Sequence, residues 1–213
     1  MQTVNVVGAG LAGVEVANYL ANHGIKVKLY DIKPNSFTPA HKSTDFAELV
    51  CSNSLKSNDV YGNACGLLKQ EMRILGSLTI EIADRVKVPA GNALAVNREE
   101  FASLITERIK ANPNIEIISK EVEDYDLGGY TVIATGPLTT DKLSNKIKKD
   151  FGGNLHFYDA SAPIVSFESI DMESAFFGDR YGKGNGDHIN CPMNKEEYER
   201  FYNILIELMV ILN

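Results

Sequence analysis

Asn5-Val6-Val7-Gly8-Ala9-Gly10-Leu11-Ala12-Gly13-Val14-Glu15 is the stretch from which the rest of the chain is read. Thr3 to Val7 is a short, β-branched apolar run of the kind that forms a buried strand. From Leu11 the apolar residues change period, and Leu11, Val14, Ala17, Leu20 and Ala21 fall at helix spacing. Between the two lies Gly-x-Gly-x-x-Gly. Gly8 permits a tight turn, Gly10 lets a pyrophosphate approach the backbone, and Gly13 lets the helix lie close to the strand. Ala9, Leu11 and Ala12 complete the turn, and the helix N-terminus offers backbone N–H groups to phosphate. A second strand, Lys26 to Tyr30, ends at Asp31, where a carboxylate accepts hydrogen bonds from a ribose. The whole βαβ unit is present, which makes a dinucleotide site a far stronger reading than an ordinary tight turn.

FAD and NAD use the same unit, and the motif alone does not separate them. Two further features favour FAD: the position of the motif at the start of the chain, and the end of a later strand. Ile115 to Ser119 and Tyr130 to Ala134 read as third and fourth parallel strands, the fourth closing in Ala134-Thr135-Gly136-Pro137. Small and hydroxyl residues there allow a cofactor to come close at the carboxyl end of the sheet, where open α/β sheets bind ligands. The expected fold is α/β: a Rossmann-like, glutathione-reductase-like FAD domain over residues 1–153, and the start of a second, substrate-facing module over 154–213.

With 213 residues the chain can bury a sizeable core, and 44% hydrophobic residues with no run of spanning length give neither a membrane segment nor a targeting signal. A cytoplasmic protein is expected. Cys51, Cys65 and Cys191 share no metal-ligand spacing and are odd in number, so neither a zinc site nor a disulfide framework is expected. The net charge of -7 gives no general attraction to nucleic acid.

Between the second strand and residue 62 the sequence reads as one long loop, broken by Pro34 and Pro39 and carrying Cys51-Ser52-Asn53-Ser54. Loops of that length cover sites. A thiol, hydroxyls and an amide suit the polar rim of a flavin, though a small buried Cys51 explains the same residues equally well. Asn63 to Leu75 is helical, with Leu67, Leu68, Met72 and Leu75 on one face and Gly76 closing it. Cys65, in its first turn, reads as packing. Val86 to Gly91 is extended, Ala93 to Val96 a short strand, and Asn97 caps a helix that stops at Pro113. Lys142, Lys146, Lys148 and Lys149 form a basic cluster best read as a solvated helix face. Arg180 to Gly186 is a glycine-rich basic loop that lacks the Lys-Ser/Thr of a P-loop. Glu196 to Leu212 is a helix whose end is apolar all round and calls for burial.

Taken together, Gly8 to Gly13, Thr38 to His41, Phe46 to Ser54, Asn63 to Leu78, Val88 to Gly91, Ala93 to Val96, Val132 to Leu138, Phe157 to Val165, Arg180 to Gly184 and Ile189 to Met193 resemble the folate- and FAD-dependent tRNA (uracil-5-)-methyltransferases, relatives of the GidA-type flavoproteins. The resemblance implies FAD as cofactor, 5,10-methylenetetrahydrofolate and NAD(P)H as co-substrates, and methylation of C5 of a T-loop uridine in tRNA, with ribosomal RNA as the alternative target. No DNA or membrane partner is implied. It gives Cys51 the place of the family cysteine near the flavin, and Gly8, Gly10, Gly13 and Asp31 the place of FAD contacts. Ala9, Leu11, Ala12, Ser52, Asn53, Ala134, Thr135 and Gly136 complete the expected cofactor set. Family members run to roughly double this length. Their uracil-attacking cysteine, in a Phe-Glu-x-Cys stretch, has no counterpart in these residues, and Cys191 belongs to a different family segment. The expectation is therefore a truncated member, active or reduced to a noncatalytic nucleotide-binding module.

Overall fold

A computed structural model describes residues 3–152, 165–179 and 186–211, the last five as backbone only. The chain divides into two compact units, Met1–Pro163 and Ile164–Asn213.

The first unit begins with β1 (Thr3–Val7), α1 (Leu11–Asn22) and β2 (Lys26–Asp31), as the alternation of periods predicts. β3 (Ser54–Ser57), α2 (Ala64–Ile74), α3 (Leu78–Arg85), β4 (Lys87–Val88) and β5 (Ala93–Val96) follow, then α4 (Arg98–Lys110), β6 (Ile115–Ser119), β7 (Tyr130–Ile133) and α5 (Asp141–Phe151). Among the described residues four strands make a parallel sheet in the order β6-β2-β1-β7, with Val6 opposite Leu29 and Val132. β3, β5 and β4 form a separate antiparallel sheet. The long segment after β2 is thus not wholly loop, since Ser54–Ser57 pairs with β5.

Side chains alternate across β1, and the two faces meet different covers. Val6, with Val27 and Leu29, packs into the main core against Val14, Ala17 and Ala21 of α1 and Phe101, Ile105 and Ile109 of α4. Val7 turns the other way, into a small cluster with Val122 and Leu143 of α5. α3 packs on α1 and α4, and Glu15 of α1 fixes it there: its carboxylate accepts the N–H groups of Leu78 at 2.9 Å and Thr79 at 3.0 Å. A carboxylate at a helix N-terminus satisfies free donors and opposes the positive end of the helix dipole.

In the second unit β8 (Phe176–Gly178) and β9 (His188–Asn190) pair antiparallel. Asp179 accepts from the N–H of Gly186 and from His188 Nδ1, and these bonds hold its carboxyl below the usual range. α6 (Lys195–Ile211) starts in a reciprocal cap, Asn194 Oδ1 accepting from Glu197 N–H and Glu197 Oε2 from Asn194 N–H. The described side chains of α6, through Ile206, are exposed, Phe201, Ile204 and Leu205 among them. The side chains of Leu208 to Leu212, the segment 157–164 and most of the 180–186 loop lie outside the described residues.

Candidate functional site

A cleft of about 350 Å³ opens at the carboxyl ends of β1, β2 and β7. One wall is the glycine turn from Gly8 to Ala12, and facing it lie Asp31, the segment around His41 and Glu48, and Ala134 to Leu138. The place is set by topology: in a parallel sheet each strand delivers the residues that follow it to the same edge.

The three glycines of the turn have different reasons to be glycine. Gly8 has φ +97°, and a Cβ there would stand 2.8 Å from the Ala134 carbonyl oxygen. A Cβ on Gly13 would stand 1.7 Å from the Gly8 carbonyl oxygen, so helix and turn touch only because it is absent. Gly10 is unlike both: among the described residues a Cβ would meet nothing within 4 Å, and its φ of -73° suits any residue. The protein's own packing makes no demand for glycine at that point of the cleft wall. No described side chain caps α1, whose N-terminus begins at this residue.

Asp31 braces the turn as well as lining the cleft. Its Oδ2 accepts from Ala9 N–H at 2.8 Å and its Oδ1 from Lys33 N–H at 2.9 Å. Each oxygen keeps a second lone pair for a ligand hydroxyl. The segment 38–48 is anchored at both ends of Phe46-Ala47. Phe46 N–H donates to Thr106 Oγ1 at 2.8 Å, and Ala47 N–H to Ala9 O at 2.9 Å. Ala47 is held at φ +51°, a conformation that costs a non-glycine residue about 1 kcal/mol, which the two anchors and the burial of Phe46 and Leu49 offset.

This segment and the residues just after β2 bring titratable groups to the cleft that the sequence reading passed over. Lys33 is buried, its ammonium donating to Asp45 O, and desolvation lowers its pKa against the pull of Asp31, Glu48 and Asp45. His41 bonds Thr38 Oγ1 at 2.7 Å through Nδ1; burial, then Lys33, lowers its pKa, opposed by Glu48 and Asp31. The available signal was Asp31-x-Lys33 at a strand end, which puts a cation beside a carboxylate. On the opposite wall Thr140 Oγ1 is buried with no hydrogen-bond partner among the described residues, and Thr140 lines the cleft.

Of the expected cofactor residues, Gly8, Ala9, Gly10, Leu11, Ala12, Asp31, Ala134, Thr135 and Gly136 meet in the cleft wall. Gly13 stands behind it. Val50 reaches the wall, while Cys51, Ser52 and Asn53 do not. Ser52 Oγ accepts from Ser54 N–H, and Asn53 holds β5 through Val96 O, so both serve the start of β3. Cys51 is half-buried and Cys191 exposed. In α5, Lys142 pairs with Glu123, and Lys146 with Asp150 and Asp124, which neutralises half of the basic cluster. No described helix is long and apolar enough to cross a membrane.

The family profile described as Glucose inhibited division protein A matches residues 3–210. A protein of Acetivibrio thermocellus named methylenetetrahydrofolate–tRNA-(uracil-5-)-methyltransferase TrmFO is 57% identical over 204 residues, 95% of this chain and 47% of its own length. The Fusobacterium nucleatum protein of the same name is 58% identical over 205 residues, again 47% of its length. The chain thus spans about half the length of the curated relatives it matches. Among solved structures, GidA of Aquifex aeolicus superposes with a TM-score of 0.54 at 17% identity, over 69% of this chain and 30% of that one, a likeness of fold.

Proposed function

Since the chain belongs to the glucose-inhibited division protein A (GidA) family, we propose that its first unit is the FAD-binding module of a folate-dependent tRNA uracil-5-methyltransferase. The observation that carries the dinucleotide assignment is Gly10, a glycine that nothing described in the protein requires, set where a pyrophosphate would lie against the backbone, and the family makes FAD the dinucleotide. The donor set fits the same group. The N-terminus of α1 would face the diphosphate, Asp31 keeps lone pairs for ribose hydroxyls, and the hydroxyl of Thr140, without a partner among the described residues, would offer a further hydrogen bond.

Bound FAD supplies the redox and one-carbon chemistry that links 5,10-methylenetetrahydrofolate to C5 of uracil. A methylene is two electrons more oxidised than a methyl, so the overall transfer consumes a two-electron reductant, which we assign to NAD(P)H. Uracil C5 is nucleophilic only after an addition at C6, and a thiolate serves this well because it adds readily and leaves again. The chain's own parts in this scheme are to bind and orient: the turn and Asp31 hold the nucleotide, and the segment 38–48 closes one wall of the cleft. Cys51, one residue beyond Val50 of that wall, is assigned the family's thiol near the flavin. The target is the T-loop uridine of tRNA, and the setting the cytoplasm.

Labelled methylenetetrahydrofolate supplied with FAD, NADPH and an unmodified tRNA transcript tests the reaction. Because these residues hold no counterpart of the uracil-attacking cysteine, the chain should form 5-methyluridine only when the half of the A. thermocellus relative beyond its match is supplied in trans, and lose it again in Cys51→Ala. A chain that holds flavin and forms no product even then would reduce the reading to a noncatalytic nucleotide-binding module.

A further inference from the structure

α2 is amphipathic with its faces reversed. The side turned to the protein carries Gly66, Lys69 and Arg73. A Cβ on Gly66 would stand 1.9 Å from the Asp59 carbonyl oxygen, so the helix lies directly against that backbone. Lys69 is buried, and its ammonium donates to Ser57 O at 2.8 Å and Cys65 O at 2.9 Å. Arg73 reaches Asp84 through two bonds, at 2.7 and 2.8 Å, and Asn58 Oδ1 at 2.9 Å. The side turned outward carries Leu67, Leu68, Ile74 and Leu75, exposed by 49%, 56%, 77% and 76%, with Tyr61 fully exposed nearby in sequence. At 100° per residue these four lie within one stripe. The helix has no route to burying them by rolling, because every polar bond on its inner face would break.

An exposed apolar stripe on a surface helix, interrupted only by Glu71, marks an interaction site. We infer that the outward face of α2 docks the half of a family-length polypeptide that lies outside the region aligned with this chain. The A. thermocellus and F. nucleatum relatives carry more than half of their length beyond what this chain matches, so a covering segment exists in the family. A second copy fits less well. Glu71 lies in the middle of the stripe and is exposed, and a symmetric pairing would press two carboxylates together out of water. RNA fits less well again, since the stripe offers no cation. The inference rests on family membership alone and is independent of the chemistry proposed above.

Side-chain footprinting with a photolysed diazirine, on this chain and on the full-length A. thermocellus relative, tests it without flavin or RNA. The expected result is strong labelling of Leu67, Leu68, Ile74 and Leu75 here, and roughly fivefold less at the aligned positions of the relative, as half-exposed side chains become buried. Equal labelling in both proteins overturns the inference. Weak labelling in this chain overturns it too, and sedimentation identifies the reason: a concentration-dependent dimer dissolved by Leu68→Glu assigns the face to a second copy, and a monomer places it within this chain.

Discussion

α1 and α2 have similar lengths and similar apolar spacing, and they face the protein in opposite ways. α1 buries Val14, Ala17 and Ala21 against the sheet, whereas α2 buries Gly66 and Lys69 and leaves its leucines in solvent. Periodicity states which residues share a face. It does not state which face turns inward, and that is settled by what the neighbouring backbone offers: an apolar sheet beneath α1, a run of carbonyls and an Asp-Asn pair beneath α2.

The largest effect expected on either helix comes from Gly13. Gly13→Val drives a side chain into the Gly8 carbonyl and should destabilise the chain by about 3 kcal/mol or more, read by chemical denaturation. Gly10→Ala, three residues earlier, should leave stability within about 1 kcal/mol and weaken nucleotide binding at least about tenfold, measured by flavin titration. Equal loss of stability in both variants would break the distinction between the packing glycine and the ligand glycine.

On α2 the usual order of costs should invert. Lys69→Ala removes two part-buried hydrogen bonds that tie the helix to Ser57 O and to its own first turn, and should cost about 1–3 kcal/mol, while Leu68→Gln should stay within about 0.5 kcal/mol. The reverse order, from thermal melts of both variants, would show that the leucine face is the buried one.

The smallest effect is electrostatic. The folded pKa of His41 lies below its usual 6.5, so the unfolded chain binds more protons just below that value. Stability should therefore fall as pH drops from about 6.5 through the lowered folded value, by at most about 1.4 kcal/mol per pH unit for one proton. His41→Gln should flatten that slope. Lys33 has the same sign below 10.5, its penalty easing as pH rises toward that value.

The sheet was legible because β1, β2, β6 and β7 are short apolar runs at the ends of clear helical patterns, and the glycine turn fixed where its cleft opens. α3 was not: Thr79, Ile80 and Ile82 favour strand locally, and the helix depends on Glu15 reaching its N-terminus from more than sixty residues away. β3 stayed hidden in a loop because four residues containing a lysine at φ +66° pair only irregularly with β5. In the cleft, the turn, Asp31 and the Ala134 to Gly136 end could be read from residue type. Lys33 was signalled only by its place two residues after Asp31, and His41 and Thr140 not at all, because their importance lies in burial and in missing or distant partners, which spacing does not encode.

Absorbance of the purified chain, titrated with FAD and freed of excess by gel filtration, tests the central claim most directly. The account predicts flavin bands that co-elute with the protein and are lost in Gly10→Ala. A chain folded by circular dichroism that retains no flavin at saturating FAD would contradict it.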